Sequence, residues 1–360
     1  MKRIWKLALA IGALLAAAAA LAWWQRVPIG LSLMAREIDG RATAVSDPIA
    51  ALPDGLHVGL CGTGSPMPDE RRGGPCTVVI AGKRMFIIDA GAGAARNMVL
   101  MRLNVGQADA LLLTHYHSDH IDGVGEVLLQ RWVQRNSQEP LPVYGPQGLE
   151  QVLDGFTRAY TLDRGYRIAH HGEGVLPPTG FGAQPRPFEI APNARKVLIS
   201  EPDLEVVAFA VEHDPVDAAV GYRIRYKDRS VVISGDTRRS DAVQREAKGV
   251  DVLLHEALSP SMSGMFQHSF EKVGRPHVAK VFHDILGYHT SPQETAEIAQ
   301  AAGVRMLVLH HIIPVLPPGF EDAFLENTRD IYRGPVHVAV DGDWLTLPAG
   351  STKIDVGHRP

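Results

Sequence analysis

Residues 111–124 read "LLLTHYHSDHIDGV" and place His115, His117, Asp119 and His120 within six positions. Histidine and aspartate are ordinary at turns and on wet surfaces. Here Leu111, Leu112 and Leu113 read as a buried strand, so the cluster begins where that strand ends. Side chains at i and i+2 of an extended chain share a face, so His115 and His117 point together. Asp119 and His120 fall at the turn into a helix, with Gly123 and Gly125 allowing tight backbone. Four lone-pair donors therefore converge on one small volume. Without a partner such a cluster carries a desolvation cost. Around a metal ion each member becomes a bond, and the spacing is that of metal ligands.

The motif H-x-H-x-D-H, with an apolar strand before it and "IDGV" after it, resembles that of the metallo-β-lactamase superfamily of metal-dependent hydrolases. Asp89 in "FIIDAGAG" stands at the superfamily's D-x-G position, whose aspartate braces the ligand histidines; an Asx turn there is compatible with that role. His213 ends the run "VVAFAVEH". A first metal needs more than His115 and His117, and this count together with the resemblance makes His213 a ligand. The resemblance makes Asp236, in "VVISGDTRRS", the carboxylate shared between two metals. "LVLHHIIP" carries adjacent histidines where superfamily members usually show Thr-His; that register selects His311 as ligand and leaves His310 as runner-up.

Three further stretches resemble the tRNase Z group: "GTGSP" at 62–66, "LLHEAL" with Glu256, and "HTSPQETAEIA" with His289. By that resemblance His289 assists the leaving group, and Glu256 supports His289 or the ligand shell. Asp119 both binds metal and orients the attacking water or takes its proton. His115, His117 and His213 would hold one ion, Asp119, His120 and His311 the other. Zinc is the expected metal, two per chain, with manganese or iron as substitutes.

The elements that must position these residues read as follows. Strands are expected in 57–68 and 76–93, then at 204–213, 219–226 and 229–235, and in "DVLLHEAL" and "RMLVLHHIIP"; helices are expected near 126–135, 147–160 and 292–302. Ser291 is a candidate cap for the last of these. Residues 161–200, rich in Pro and Gly, read as a long loop. Two β-rich halves, each followed by helices, fit an α/β (α+β) fold: an αββα sandwich of two facing mixed sheets with helices outside. The expected division is a signal peptide or membrane anchor over 1–24, a linker or irregular lead-in over 25–54, and a hydrolase domain over 55–350.

The first segment, "MKRIWKLALAIGALLAAAAALAWWQR", has a positive start, an apolar run and Ala20-Leu21-Ala22 as a cleavage site; uncleaved, it is nearly long enough to span a bilayer. Either way the catalytic domain is expected outside the cytoplasm, periplasmic or secreted if the segment is cleaved and held at the inner membrane if it is not. The net charge of −4 drops to near −7 if Lys2, Arg3 and Lys6 leave with residues 1–22. That balance and the weakly basic 161–200 segment disfavour a long polyanion. The expected partner is thus a small ester, with nucleic acid unlikely and a homodimer possible. Cys61 and Cys76 read as two small buried residues in preference to a bridge. The expected function is an exported dinuclear hydrolase of small phosphodiesters or sulfate esters. The alternatives are a tRNase Z-type endoribonuclease, a lactonase or amidase, and a non-catalytic metal-binding relative.

Overall fold

The computed structural model describes residues 2–359, in two units: one up to residue 48 and one from Ile49 onward. The first is a helix, α1 (Lys2–Ser46), whose Lys2–Gly40 stretch is long and apolar enough to cross a bilayer. Residues 25–46, expected as linker or irregular chain, continue this helix through Pro28. Leu31, Leu33, Met34, Ala35, Arg36 and Glu37, beyond the proline, are good helix formers, and the helix continues through them.

The second unit is a four-layer sandwich. Strands β1 (Gly55–Gly62), β2 (Cys76–Ala81), β3 (Arg84–Ile88), β4 (Ala110–Leu112), β5 (Leu141–Gly145) and β6 (Ala183–Pro187) lie side by side in that order. A second sheet takes β7 (Arg195–Ser200), β8 (Leu204–Ala210), β9 (Val220–Tyr226), β10 (Arg229–Ile233), β11 (Val252–Leu258), β12 (Met306–Ile313) and β13 (Val336–Val338). The chain then returns to the first sheet as β14 (Asp343–Pro348), antiparallel to β1, and β15 (Asp355–His358). Both sheets are mixed: β3 to β6 and β10 to β13 run parallel, and the other neighbours antiparallel.

The two-residue period of the strands builds the layers. Val79, Phe86, Ile88, Val206, Tyr222, Ile233, Leu254 and Val308 meet between the sheets. Their neighbours Val78, Ile80, Met85 and Ile87 face the other way, onto α2 (Ala94–Leu100), α4 (Val124–Arg135) and α5 (Leu149–Ala159). On the far side Val232, Leu253, Leu307 and Leu309 pack on α7 (Asp241–Glu246) and α10 (Pro292–Ala302). A capping box fixes the start of α10: the Ser291 hydroxyl accepts from the Glu294 N–H while Glu294 accepts from the Ser291 N–H. The short α3 (Ser118–Ile121) sits at the end of β4's loop.

Two expectations are corrected here. Residues 161–200 are not one long loop. They hold α6 (Thr161–His171), β6 and β7, which pair with β5 and β8 so that main-chain ladders, not side-chain burial, order a Pro/Gly-rich stretch. Cys61 and Cys76 are not two separate buried thiols. They form a disulfide, because the β1–β2 register brings their Cα atoms to 5.0 Å. The bridge closes the loop that carries "GTGSP". Loop-closure entropy over 15 residues predicts a stabilisation of about 3 kcal/mol. The melting temperature is expected to fall by roughly 5 °C when reductant is added or in the Cys61→Ala/Cys76→Ala pair; melts coincident with that of the oxidised protein would contradict this.

Candidate metal centre

The ends of β4, β8 and β10 and a bulge in β12 deliver the site to one end of the sandwich. His115 and His117 follow β4, Asp119 and His120 ride on α3, His213 follows β8 and Asp236 follows β10. Two glycines let these turns close. A Cβ on Gly91 would lie 2.2 Å from the Asp119 carbonyl oxygen, and one on Gly235, at φ +61°, would lie 2.5 Å from that of Val220.

The side chains form two groups, His115, His117, His213 and Asp236 in one and Asp119, His120 and His311 in the other, each with ligand atoms within 4.8 Å of one another. Within the first, His117 Nδ1 is 3.0 Å from His115 Nε2 and 3.2 Å from His213 Nε2. Asp236 Oδ2 stands between the groups, 3.3 Å from both His120 Nε2 and His311 Nε2 and 3.9 Å from both His115 Nε2 and His213 Nε2. His311 Nε2 is also 3.2 Å from Asp119 Oδ2. All seven are buried except His117, which is exposed at the mouth.

The donor set suits two divalent cations: five imidazoles and two carboxylates, with the buried His120 Nε2 lacking a hydrogen-bond partner among the described residues. Burial lowers the pKa of His115, His117 and His213, which favours the neutral imidazole that offers a lone pair. Burial works against charge on Asp236, yet the imidazoles of His311 and His120 hold its carboxyl well below the usual range.

Behind the donors lies a bracing layer. Asp89 Oδ2 is 2.8 Å from His120 Nδ1 and accepts from the Thr114 hydroxyl at 2.8 Å; its Oδ1 accepts from the Thr114 N–H. Asp89 does so at φ +56°, an uncommon conformation for a residue with a side chain. The Tyr288 carbonyl fixes His213 through Nδ1 at 2.9 Å. Glu256, fully buried, accepts from the Thr290 N–H at 2.9 Å and lies 3.3 Å from His289 Nδ1. The His289 ring in turn packs at 5.2 Å from that of His213 and 5.7 Å from that of His311.

His310 does not join the cluster. It pairs with Glu256 across the β11–β12 ladder, buried, with neither ring nitrogen hydrogen-bonded among the described residues, and burial pushes its pKa down to about 3. The ladder then slips by one residue, and His311, at φ +48°, is the extra residue that turns to the donors. Sequence reasoning missed Thr114, Tyr288 and Asp341. Asp341 accepts from the N–H groups of Thr63 and Gly73, so it ties both arms of the glycine loop. "VDGD" carries only a turn signal, which hid it.

Asp119, Asp236, His117, His289 and His311 open on a cavity of about 610 Å³, whose other walls are Ser65–Pro68 and α8 (Pro260–Lys272) with α9 (Pro276–Asp284). This fold and these two donor groups define a metal-dependent hydrolase. Residues 84–312 match the family described as "Beta-lactamase superfamily domain". The ribonuclease Z of Mycolicibacterium gilvum is 35% identical over 308 residues, 82% of this chain and 100% of that protein. The metallo-β-lactamase fold protein YhfI from Bacillus subtilis, at 19% identity, shares the fold with a TM-score of 0.59 over 84% of this chain and 100% of its own. Human tRNase Z, short form, does so with 0.57 at 22% identity, over 81% of this chain and 99% of its own. The chain belongs to the metallo-β-lactamase superfamily and, within it, to the ribonuclease Z family.

These relatives overturn two expectations. The small phosphodiester or sulfate ester gives way, and so does the view of nucleic acid as an unlikely partner. They rested on the net charge, the weakly basic 161–200 segment and the export signal; a net charge averages the whole surface, whereas nucleic-acid recognition depends on where the charges stand.

Proposed function

We propose that this protein is a tRNase Z-type endoribonuclease hydrolysing a phosphodiester of structured RNA, with zinc as its metal. One observation carries the reading: the chain matches the M. gilvum ribonuclease Z along that protein's full length. His115, His117 and His213 would hold one ion and Asp119, His120 and His311 the other, with Asp236 shared between them. Ions so held would lower the pKa of the attacking water and would neutralise charge building on the phosphoryl oxygens. Asp119 accepts the proton of the attacking water. His289, with Nδ1 turned to Glu256, keeps Nε2 to protonate the departing ribose oxygen.

The test is metal-loaded full chain on precursor tRNA. Endonucleolytic cleavage is expected, and no cleavage by protein carrying two metals per chain would sink the reading. His289→Ala should retain its metals yet slow RNA cleavage about 10²-fold or more, because a ribose alkoxide is a poor leaving group. An equal loss on a nitrophenyl ester, whose leaving group needs little protonation, would remove His289 from that role.

For α1 we propose a membrane anchor, with the catalytic unit on the non-cytoplasmic side; its substrate there would be structured RNA outside the cytoplasm, for which precursor tRNA serves as the assay RNA. Lys2, Arg3 and Lys6 ahead of the apolar run support the orientation, and a disulfide is at home in an oxidising compartment. Residues 1–48 fused to a reporter active only outside the cytoplasm should give signal and remain in the membrane fraction. A cytoplasmic reporter would refute it.

A further inference from the structure

The α8–α9 hairpin lies in the chain between Glu256 and His289, and both of its connections are short. Ser259 caps α8 by accepting from the Met262 N–H, directly after β11 ends, and α9 ends at Asp284, five residues before His289. The hairpin is therefore held close to the leaving-group side of the donor cluster.

What it presents there is aromatic. Phe266 and Phe270 stand four residues apart, on one face of α8. Phe282 of α9 stacks on both, with ring centroids at 5.1 and 5.6 Å and planes within 11° and 15°. Phe270 and Phe282 are the two rings of this stack that line the catalytic cavity. Arg275, in the turn between the helices, holds its guanidinium carbon 5.5 Å from the centre of the Phe270 ring. It is exposed, and no carboxylate pairs with it among the described residues.

Neither feature serves the donors. A flat, half-buried ring that faces a phosphate-cleaving centre matches a nucleobase, and an unpaired guanidinium matches a phosphate. Single-stranded RNA is commonly gripped by this pair, because every base has a π-face and every linkage a charge.

We infer that the α8–α9 hairpin is a base-stacking platform: the unpaired base beside the scissile phosphate stacks on Phe270, and Arg275 takes an adjacent phosphate. The inference rests on the ribonuclease reading and adds to it the residues that seat the cut strand.

The experiment uses the full metal-loaded chain and precursor tRNA, intact or carrying an abasic nucleotide on one or the other side of the cleaved bond. The variant is Phe270→Leu, which keeps apolar bulk and removes the ring. Wild type should lose about 10-fold in kcat/KM, through KM, on one abasic RNA. Phe270→Leu should lose as much on intact RNA and no more on the abasic one, and Phe270→Tyr should restore binding. Arg275→Gln, a change at an exposed side chain, should flatten the salt dependence of KM by about one phosphate contact, and it carries the test if Phe270→Leu melts early. Losses that multiply, or wild-type behaviour of both variants on RNA that is cleaved, overturn the platform alone. Wild-type protein with both metals that cleaves no RNA overturns the platform and the ribonuclease reading together.

Discussion

Asp236→Ala is expected to strip both metals from the protein and to lower hydrolysis by about 10³-fold or more. The reason is the position of one atom. Asp236 Oδ2 approaches His115 and His213 of one donor group and His120 and His311 of the other. Its removal leaves the first group with three neutral imidazoles and no negative charge, and leaves Asp119 as the only carboxylate in the second. Two dications would then face one formal negative charge in a buried site, where unbalanced charge is expensive. Asp236→Asn separates charge from shape: it preserves the turn after Gly235 and should still lose metal. Elemental analysis beside turnover on RNA provides the check. Two retained metals in Asp236→Ala would show that the carboxylate is not shared.

The legible parts of this molecule were those fixed by neighbours in sequence. His115, His117, Asp119 and His120 lie within six residues, so the strand end and turn that join them dictate their convergence. The sandwich was legible for a similar reason, since alternation such as Val78 outward and Val79 inward is written residue by residue. What stayed hidden depends on register between distant segments. The Cys61–Cys76 bridge follows from how β1 lies on β2. The order within 161–200 comes from ladders to β5 and β8 that a Pro/Gly-rich composition does not announce. The extension of α1 to Ser46 runs past Pro28, a residue type that ordinarily breaks a helix interior. Substrate class failed for a different reason: a formal charge of −4 is a sum, and recognition depends on where the charges stand.

The two adjacent histidines of β12 give the sharpest separation between neighbours. His311→Ala is expected to lose the ion held with Asp119 and His120, to drop metal content to about one per chain, and to cut activity about 10³-fold. His310→Leu is expected to keep both metals and full activity. The β11–β12 ladder slips between these residues, so one extra residue is accommodated and consecutive side chains part company. His311 adopts φ +48° and brings Nε2 within 3.3 Å of both carboxylates, whereas His310 stays in register with Glu256. A buried imidazole with neither nitrogen bonded costs free energy in the folded state, and replacing it with an apolar side chain of similar size should be neutral or stabilising by roughly 1 kcal/mol. The pair of variants therefore predicts opposite signs in one experiment. A thermal melt without added metal should place His310→Leu at or above wild type. Metal analysis should show His311→Ala deficient, its remaining ion lying with His115, His117 and His213. Equal metal loss in both variants would mean that the slip in β12 moves and that either histidine can reach the site.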